Sequence, residues 1–244
     1  MNKKNAPQTK GSDSSLSKFV AQAGIASRRK VTELIKNGLI SVNGTVIREP
    51  GYKLKPTDKV QHQNKPVRIA DKMYILLNKP KNFITTASDE KGRKTVMDLV
   101  IGIKERLYPV GRLDRDTTGL LLLTNDGNLA QRLAHPRYEM QKIYAVTLNR
   151  IFSKEDMAEI KKGIYLSDGF IRIDAIKYAP EARRNQVIVT LHSGKNRIIR
   201  RIFHHLGYDV IKLDRIRYGT LTKKGLPVGQ WRYLTDPEIE SLLR

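Results

Sequence analysis

The densest cluster of reactive side chains lies in one stretch, Pro109-Val110-Gly111-Arg112-Leu113-Asp114-Arg115-Asp116-Thr117-Thr118-Gly119. It runs directly into four leucines, Leu120 to Leu123, and then into Thr124-Asn125-Asp126-Gly127. Charge therefore abuts a segment that must be buried. If the Arg and Asp side chains were solvated they would only pair with one another and contribute little. Asp114, Asp116 and Gly119 also occupy the first, third and sixth positions of a calcium loop. That reading fails because the twelfth position is Asn125, not a bidentate glutamate, and leucines fill the second half of the loop. His204-His205 invites a metal, but adjacent helical residues point in different directions and no third ligand is near in sequence, so no metal is expected.

The elements that would position this stretch follow from the apolar periodicity. A helix from Ser15 carries Leu16, Phe19, Val20 and Ala23 and ends at Gly24. A second starts at the cap Ser27, carries Val31, Leu34 and Ile35, and stops at Gly38. Leu39 to Val42, Asn43-Gly44 and Thr45 to Ile47 carry a hairpin signal, and Lys59 to Gln61 a short strand, closing a small unit near residue 62. Gln63 to Asp71, with Pro66 and mixed charge, reads as a linker. Beyond it, strands at Met73 to Leu77, Leu120 to Leu123, Lys142 to Leu148, Phe170 to Tyr178 and Gln186 to His192 alternate with helices near Val96 to Val100, Asn128 to Ala134, Lys154 to Lys162 and Arg197 to Leu206. Several strands follow one another without a helical crossover. This predicts an α+β domain with a mixed, largely antiparallel sheet. The expected organisation is a disordered basic tail over 1–14, the small unit over 15–62, a linker over 63–71 and the large domain over 72–244.

Composition points to the partner. Over 244 residues, 46 Lys+Arg stand against 24 Asp+Glu for a net charge of +22, an excess that favours polyanions because each neutralised phosphate releases condensed counterions. The charge is densest at the start: residues 1–70 hold 14 basic and 4 acidic side chains. Ser27-Arg28-Arg29-Lys30 sits at a helix start, where free N–H groups and the helix dipole add to the positive potential, although a basic helix start is more often only a solvated face. The absence of cysteine excludes disulfides, thiol nucleophiles and thiolate metal sites, and fits a reducing compartment such as the cytoplasm. No apolar run reaches the length of a membrane span, so no membrane association is expected.

Two stretches carry a family resemblance. Ala23 to Ile47, AGIASRRKVTELIKNGLISVNGTVI, resembles the small α-L RNA-binding module found in a small-subunit ribosomal protein and in several RNA-modifying enzymes. Gly111 to Gly127, GRLDRDTTGLLLLTNDG, resembles the signature of the bacterial ribosomal-RNA pseudouridine synthases of the RsuA, RluB, RluE and RluF group. Gly111 stands where the related RluA group would show histidine. The resemblance runs from about Ser15 to the C-terminus. It implies an enzyme that breaks the bond from ribose to N1 of uracil, turns the base and rejoins it through C5, with no cofactor, acting as a monomer on ribosomal RNA. Large-subunit RNA, as in the RluB type, is the expected substrate and small-subunit RNA the alternative. Two rivals are a non-catalytic RNA-binding assembly factor and a nucleic-acid glycosidase using Asp114.

The resemblance also assigns roles. Asp114 would act at the anomeric carbon, as nucleophile or by assisting a glycal route. Arg200, in Ser193-Gly194-Lys195-Asn196-Arg197-Ile198-Ile199-Arg200-Arg201, would be the cation that keeps Asp114 ionised, although Ile198 stands where family members commonly have glutamine. Tyr144 would stack on the uracil and help remove the C5 proton, although a tyrosine in a strand is ordinarily core. Arg112 would fill the space of the flipped base or bind a neighbouring phosphate, and Leu213 would pack beside the tyrosine. Extruding the uridine costs about a few kcal/mol, which phosphate contacts must offset. Lys195, Arg197, Arg201, Arg215 and Arg217 are the candidates for that, with Ser27, Arg28, Arg29 and Lys30 binding RNA in the small unit.

Overall fold

The computed structural model describes residues 14–243. The tail read over residues 1–14 therefore lies outside the described residues except for Ser14. The chain divides into two compact units, one of residues up to Lys72 together with Lys104–Arg106, the other of Met73–Ile103 and Leu107–Arg244. Among the described residues no helix is long and apolar enough to cross a membrane.

The first unit holds helices α1 (Leu16–Gln22) and α2 (Arg28–Lys36) and strands β1 (Ile40–Val42), β2 (Thr45–Val46), β3 (Val60–His62) and β4 (Lys65–Pro66), in the sheet order β2-β1-β3-β4. Serine hydroxyls cap both helices: Ser15 accepts from Lys18 N–H and Ser27 from Lys30 N–H, supplying partners for N–H groups that the first turn leaves free. Asn43 and Gly44, both at positive φ (52° and 83°), make the two-residue turn that the twist of β1 and β2 demands. Leu16, Val20, Val31, Ile35, Ile40, Val42 and Val60 form its core. The linker reading of Gln63 to Asp71 needs correction. Gln63 and Asn64 form a left-handed turn, Lys65–Pro66 pair with β3, and Val67 is buried in the same core. A proline reads as a strand breaker, but β4 is an edge strand, where a missing N–H costs little.

The second unit is built on a nine-stranded sheet comprising β5 (Tyr74–Lys79), β6 (Tyr108–Pro109), β7 (Thr118–Thr124), β8 (Lys142–Leu148), β11 (Ala175–Tyr178), β12 (Gln186–Leu191), β13 (Val210–Tyr218), β14 (Leu221–Thr222) and β15 (Trp231–Tyr233). A separate hairpin consists of β9 (Ile164–Leu166) and β10 (Gly169–Ile171). The main path runs β11-β12-β8-β13-β7-β5-β15, and only β13 and β7 pair in parallel. The mixed, largely antiparallel α+β sheet expected from the sequence is thus observed. Helices α3 (Gly127–Ala134), α4 (Lys154–Lys162), α5 (Ile198–His205) and α6 (Asp236–Leu243) accompany it.

The four leucines of β7 lie in the middle of this domain and are buried on both faces. Leu120 and Leu122 join Tyr74 and Leu76 in one cluster, while Leu121 and Leu123 join Ile75 and Leu77 in another. A strand covered on both sides needs no polar alternation, hence the unbroken run. Two strand expectations need correction. Phe170 to Tyr178 is not one strand: β10 pairs with β9 and β11 with β12, and the chain changes sheet between Ile171 and Ala175. The long strand β13 is absent from the sequence expectations. Two register shifts, between Val210 and Lys212 and between Arg215 and Arg217, break its period of two, so that only Leu213 and Arg215 keep that spacing and buried Tyr218 follows three residues later. Val96 to Val100 is a short 3-10 turn, Val96–Leu99.

The parallel join of β7 to β13 depends on Gly119. Its φ is +112°, and a Cβ there would lie 2.4 Å from the Arg215 carbonyl oxygen and 2.5 Å from its nitrogen, both backbone atoms that cannot yield. Gly119→Ala is therefore expected to destabilise the protein by at least about 1–3 kcal/mol, read as a lower urea midpoint with unchanged slope. A midpoint equal to that of the wild type would show that the strands can part at no cost.

Candidate active site

Asp114 stands in the loop that enters β7, and the loop is tied down from several sides. Leu113, just before it, is buried, and its backbone N–H and C=O both bond to the Thr85 hydroxyl at 3.2 and 2.7 Å. Thr117 N–H donates to the Asp114 carbonyl at 3.1 Å, and Asn82 N–H to the Arg115 carbonyl at 2.8 Å. Lys79, at the end of β5 and 0% exposed, donates to the carbonyls of Thr117 (2.8 Å), Pro80 (3.0 Å), Asp114 (3.1 Å) and Arg115 (3.3 Å). Burial pushes its amine down to about 8, a shift that the nearby charges of Asp116 and Asp114 oppose. At neutral pH it remains an ammonium, and carbonyl dipoles are its ligands. With the backbone held in this way, the Asp114 side chain is 27% exposed at the wall of a cleft of about 350 Å³.

Several strands and loops contribute to that cleft. Gly111, Arg112, Leu113 and Thr117 come from the Asp114 loop, Lys142 and Tyr144 from β8, Leu213, Arg215 and Tyr218 from β13, and Ser193 to Ile199 from the entry to α5. Tyr144 faces the cleft because β8 pairs with β13 in a register that sets Tyr144 opposite Arg215 and Val146 opposite Leu213. The structure thus brings together Asp114, Tyr144, Arg112, Leu213, Lys195 and Arg197 from sequence-distant segments.

Arg200 is the exception, and its expected place needs correction. The cation against Asp114 is Arg197, whose Nη1 lies 3.3 Å from Oδ2. Arg200 instead reaches Asp116 at 2.8 Å and the Val210 carbonyl at 2.7 Å, outside the cleft lining. The reason is local. Arg197 is the N-cap of α5 in the left-handed region, at φ +48°, outside the regular helix, whereas Arg200 lies within its first turn on the same face and meets the neighbouring carboxylate. Lys195 donates to the Asp168 carbonyl at 3.0 Å.

Two cleft residues carry chemistry that the sequence did not single out as such. Lys142 donates to the His192 carbonyl at 2.7 Å, and its amine is pushed down to about 8 by burial first and then by the Arg215 charge, with Asp174 opposing. Arg215, expected only among the surface cations, is 3% exposed. Its Nε donates to the Leu120 carbonyl at 2.7 Å and its guanidinium lies over the Tyr218 ring at 4.9 Å, while one Nη, Nη2, is buried with no hydrogen-bond partner. The signal for both was their period-two spacing from Tyr144 and Leu213, which becomes legible only once β8 and β13 are paired. Arg217 is exposed and bonds the Gly219 carbonyl. In the first unit, Ser27, Arg28, Arg29 and Lys30 are all exposed at the start of α2. The Ser27 hydroxyl is engaged as the cap, and Lys30 pairs with Glu33 at 3.2 Å.

Sequence comparison matches residues 73–205 to the RNA pseudouridylate synthase family and residues 15–60 to the S4 domain. The chain belongs to the RNA pseudouridylate synthase family. Among its relatives, ribosomal large subunit pseudouridine synthase B of Bacillus subtilis (strain 168) is 43% identical over 93% of this chain and 94% of its own length. The dual-specificity RNA pseudouridine synthase RluF of Escherichia coli (strain K12) is 35% identical over 94% of this chain and 78% of its own. A crystal structure of a pseudouridylate synthase superposes with a TM-score of 0.65 at 28% identity, covering 93% of this chain and 99% of that one. The chain is an RNA pseudouridine synthase, and its cleft is the place to look for the isomerisation.

In this synthase Lys79 stands behind Asp114 without lining the cleft. Lys79→Met is expected to lower stability by about 2–4 kcal/mol, because carbonyls gathered around an ammonium lose their donor. It is also expected to reduce kcat by on the order of a hundredfold through loss of the Asp114 position. RNA affinity should stay within a few-fold. Thermal melting, single-turnover rates and a binding titration check these outcomes, and a kcat retained in the variant would detach the loop anchor from catalysis.

Proposed function

We propose that this synthase converts a uridine of large-subunit ribosomal RNA to pseudouridine in the cleft around Asp114, with Asp114 attacking or assisting at the ribose anomeric carbon. The observation that carries the reading is the convergence of Asp114, Tyr144 and Arg197 on one cleft, with the carboxylate paired to a guanidinium at 3.3 Å. The large-subunit target is supported by the likeness to the Bacillus subtilis enzyme named for that subunit. Ribosomal RNA as substrate would place the reaction in the cytoplasm.

The chemistry assigns each group a task. The C1′–N1 bond breaks, uracil turns, a C1′–C5 bond forms, C5 gives up its proton and N1 gains one. The carboxylate of Asp114 must be ionised to act, and Arg197, which takes the part expected of Arg200, is the cation paired with it at 3.3 Å. Tyr144 offers a ring face to the flipped uracil and a hydroxyl near the C5 proton. Leu213 supplies apolar packing beside it, while Arg112, Lys195 and Arg197 bind the ribose-phosphate on either side of the flipped nucleotide. Arg28, Arg29 and Lys30, exposed at the α2 start, contact phosphates elsewhere on the RNA, and Ser27 holds the turn by capping. Arg200 steadies the Asp114 loop through Asp116.

Two experiments test this. Asp114→Asn keeps shape and removes the charge. Tritium release from C5-labelled uridine in large-subunit ribosomal RNA is expected to fall by ~10³-fold or more, while melting is unchanged and affinity equal or tighter. A folded variant with wild-type release would remove Asp114 from the mechanism. Replacing Arg28, Arg29 and Lys30 together by Gln is expected to shrink the slope of log affinity against log salt by roughly 0.7–0.9 for each phosphate that these side chains neutralise. An unchanged slope would show that the helix start merely faces water.

A further inference from the structure

Helix α5 presents two opposite faces. Ile198, Ile199, Ile202 and Phe203 are buried in the main core. Arg197, Arg200, Arg201, His204 and His205, spaced by three and four residues, share the other face, which is cationic and imidazole-bearing. On its own such a face would be only a solvated stripe. Here it lines a second, open cavity of about 380 Å³, bordered by Leu166 and Ser167 at the β9–β10 turn and lined by no carboxylate. Arg197 lines both this cavity and the cleft of Asp114, so the two are neighbours that share one arginine. Arg200 Nε is buried with no hydrogen-bond partner.

We propose that this second cavity binds a backbone phosphate of the RNA strand next to the reacting uridine, with Arg201 and His204 as its principal donors and Arg197 bridging to the reaction cleft. Forked guanidiniums fit a phosphodiester, and the polyanion is already the substrate. The acidic groups that face these cations sit at the rim. Arg201 Nη1 bonds Asp168 Oδ2 at 3.0 Å, Lys195 Nζ lies 3.7 Å from the same carboxylate, Arg200 meets Asp116, and Arg197 meets Asp114. Asp168 thus occupies donors that an incoming phosphate would take over, and it discourages anions from settling when no RNA is bound. The inference rests on the cleft of Asp114 being the seat of the reacting uridine.

The test uses the full chain with a large-subunit ribosomal RNA transcript and two variants outside the catalytic cleft. Arg201→Gln combined with His204→Gln should reduce the salt slope by about 0.7–0.9 and raise KM about sixfold at 0.1 M salt, with kcat within about twofold. Asp168→Asn, which frees Arg201 and Lys195, should instead tighten binding by about twofold or more. Melting curves accompany both. Unchanged slope and KM in the folded double variant would overturn the proposal. Should that variant fail to fold, binding by Asp168→Asn that is unchanged or weaker would overturn it, and tighter binding would support it. Asp114→Asn serves as the separate arm. If it retains activity, the reading of the cleft fails while the slopes still report whether the cavity holds phosphate.

Discussion

The Lys79 ammonium, wholly buried, gathers the carbonyls of Pro80, Asp114, Arg115 and Thr117 around one point. A charge removed from water at this cost persists only where dipoles replace its hydration, and here the dipoles belong to the backbone of the loop that carries Asp114. The loop is therefore a rigid extension of the central sheet. Gly119 admits the backbone of β13 against the start of β7, so the same few residues fix both the carboxylate and the strand that brings Leu213 and Arg215 beneath it.

From that anchor the rest of the cleft follows. The leucines of β7, packed on both faces, immobilise the strand next to the loop. Strand β8 then hangs Tyr144 and Lys142 from the other side of β13, and α5, held by its four buried apolar residues, delivers Arg197 to the carboxylate. Core packing and chemistry use different faces of the same elements: α5 turns isoleucines inward and arginines outward, and β13 bends twice to place a buried arginine among apolar neighbours. The division matters energetically, because apart from Lys79 and Arg215, which are buried against backbone carbonyls, the cations of this site are paired nearer the surface while apolar side chains carry the burial that holds the sheet.

The charge pairing also explains how a chain of net charge +22 keeps its working cations in order. Arg197, Arg200 and Arg201, close together on α5, repel one another, and Asp114, Asp116 and Asp168 hold them apart in distinct directions. Two of the acids come from the β7 entry loop and one from the β9–β10 turn. The arrangement ties the hairpin and the loop to one helix and leaves donors able to exchange a carboxylate for a phosphate.

The sequence alone determined the identity of the chemistry. The charged loop before four leucines, the serine-capped helices and the Asn-Gly hairpin are local features, dictated by side-chain types over a few residues, and the family resemblance rests on them. The α+β class followed from strands lacking crossovers. Other features depended on distant contacts, which only the tertiary structure decided. Strand β13 was invisible because its bulges erase the period of two and its buried Arg215 reads as surface. Residues 65–67 read as linker because a proline is tolerated only once its strand is known to be an edge. The pairing of Asp114 with Arg197 and not Arg200 could not be read from spacing, since it turns on one left-handed residue at the start of α5 and on where the β7 loop lies in space. Lys79 is illegible for the same reason. A lysine at the end of a strand is ordinarily solvated, and here the fold surrounds it with four carbonyls from residues up to 38 positions away.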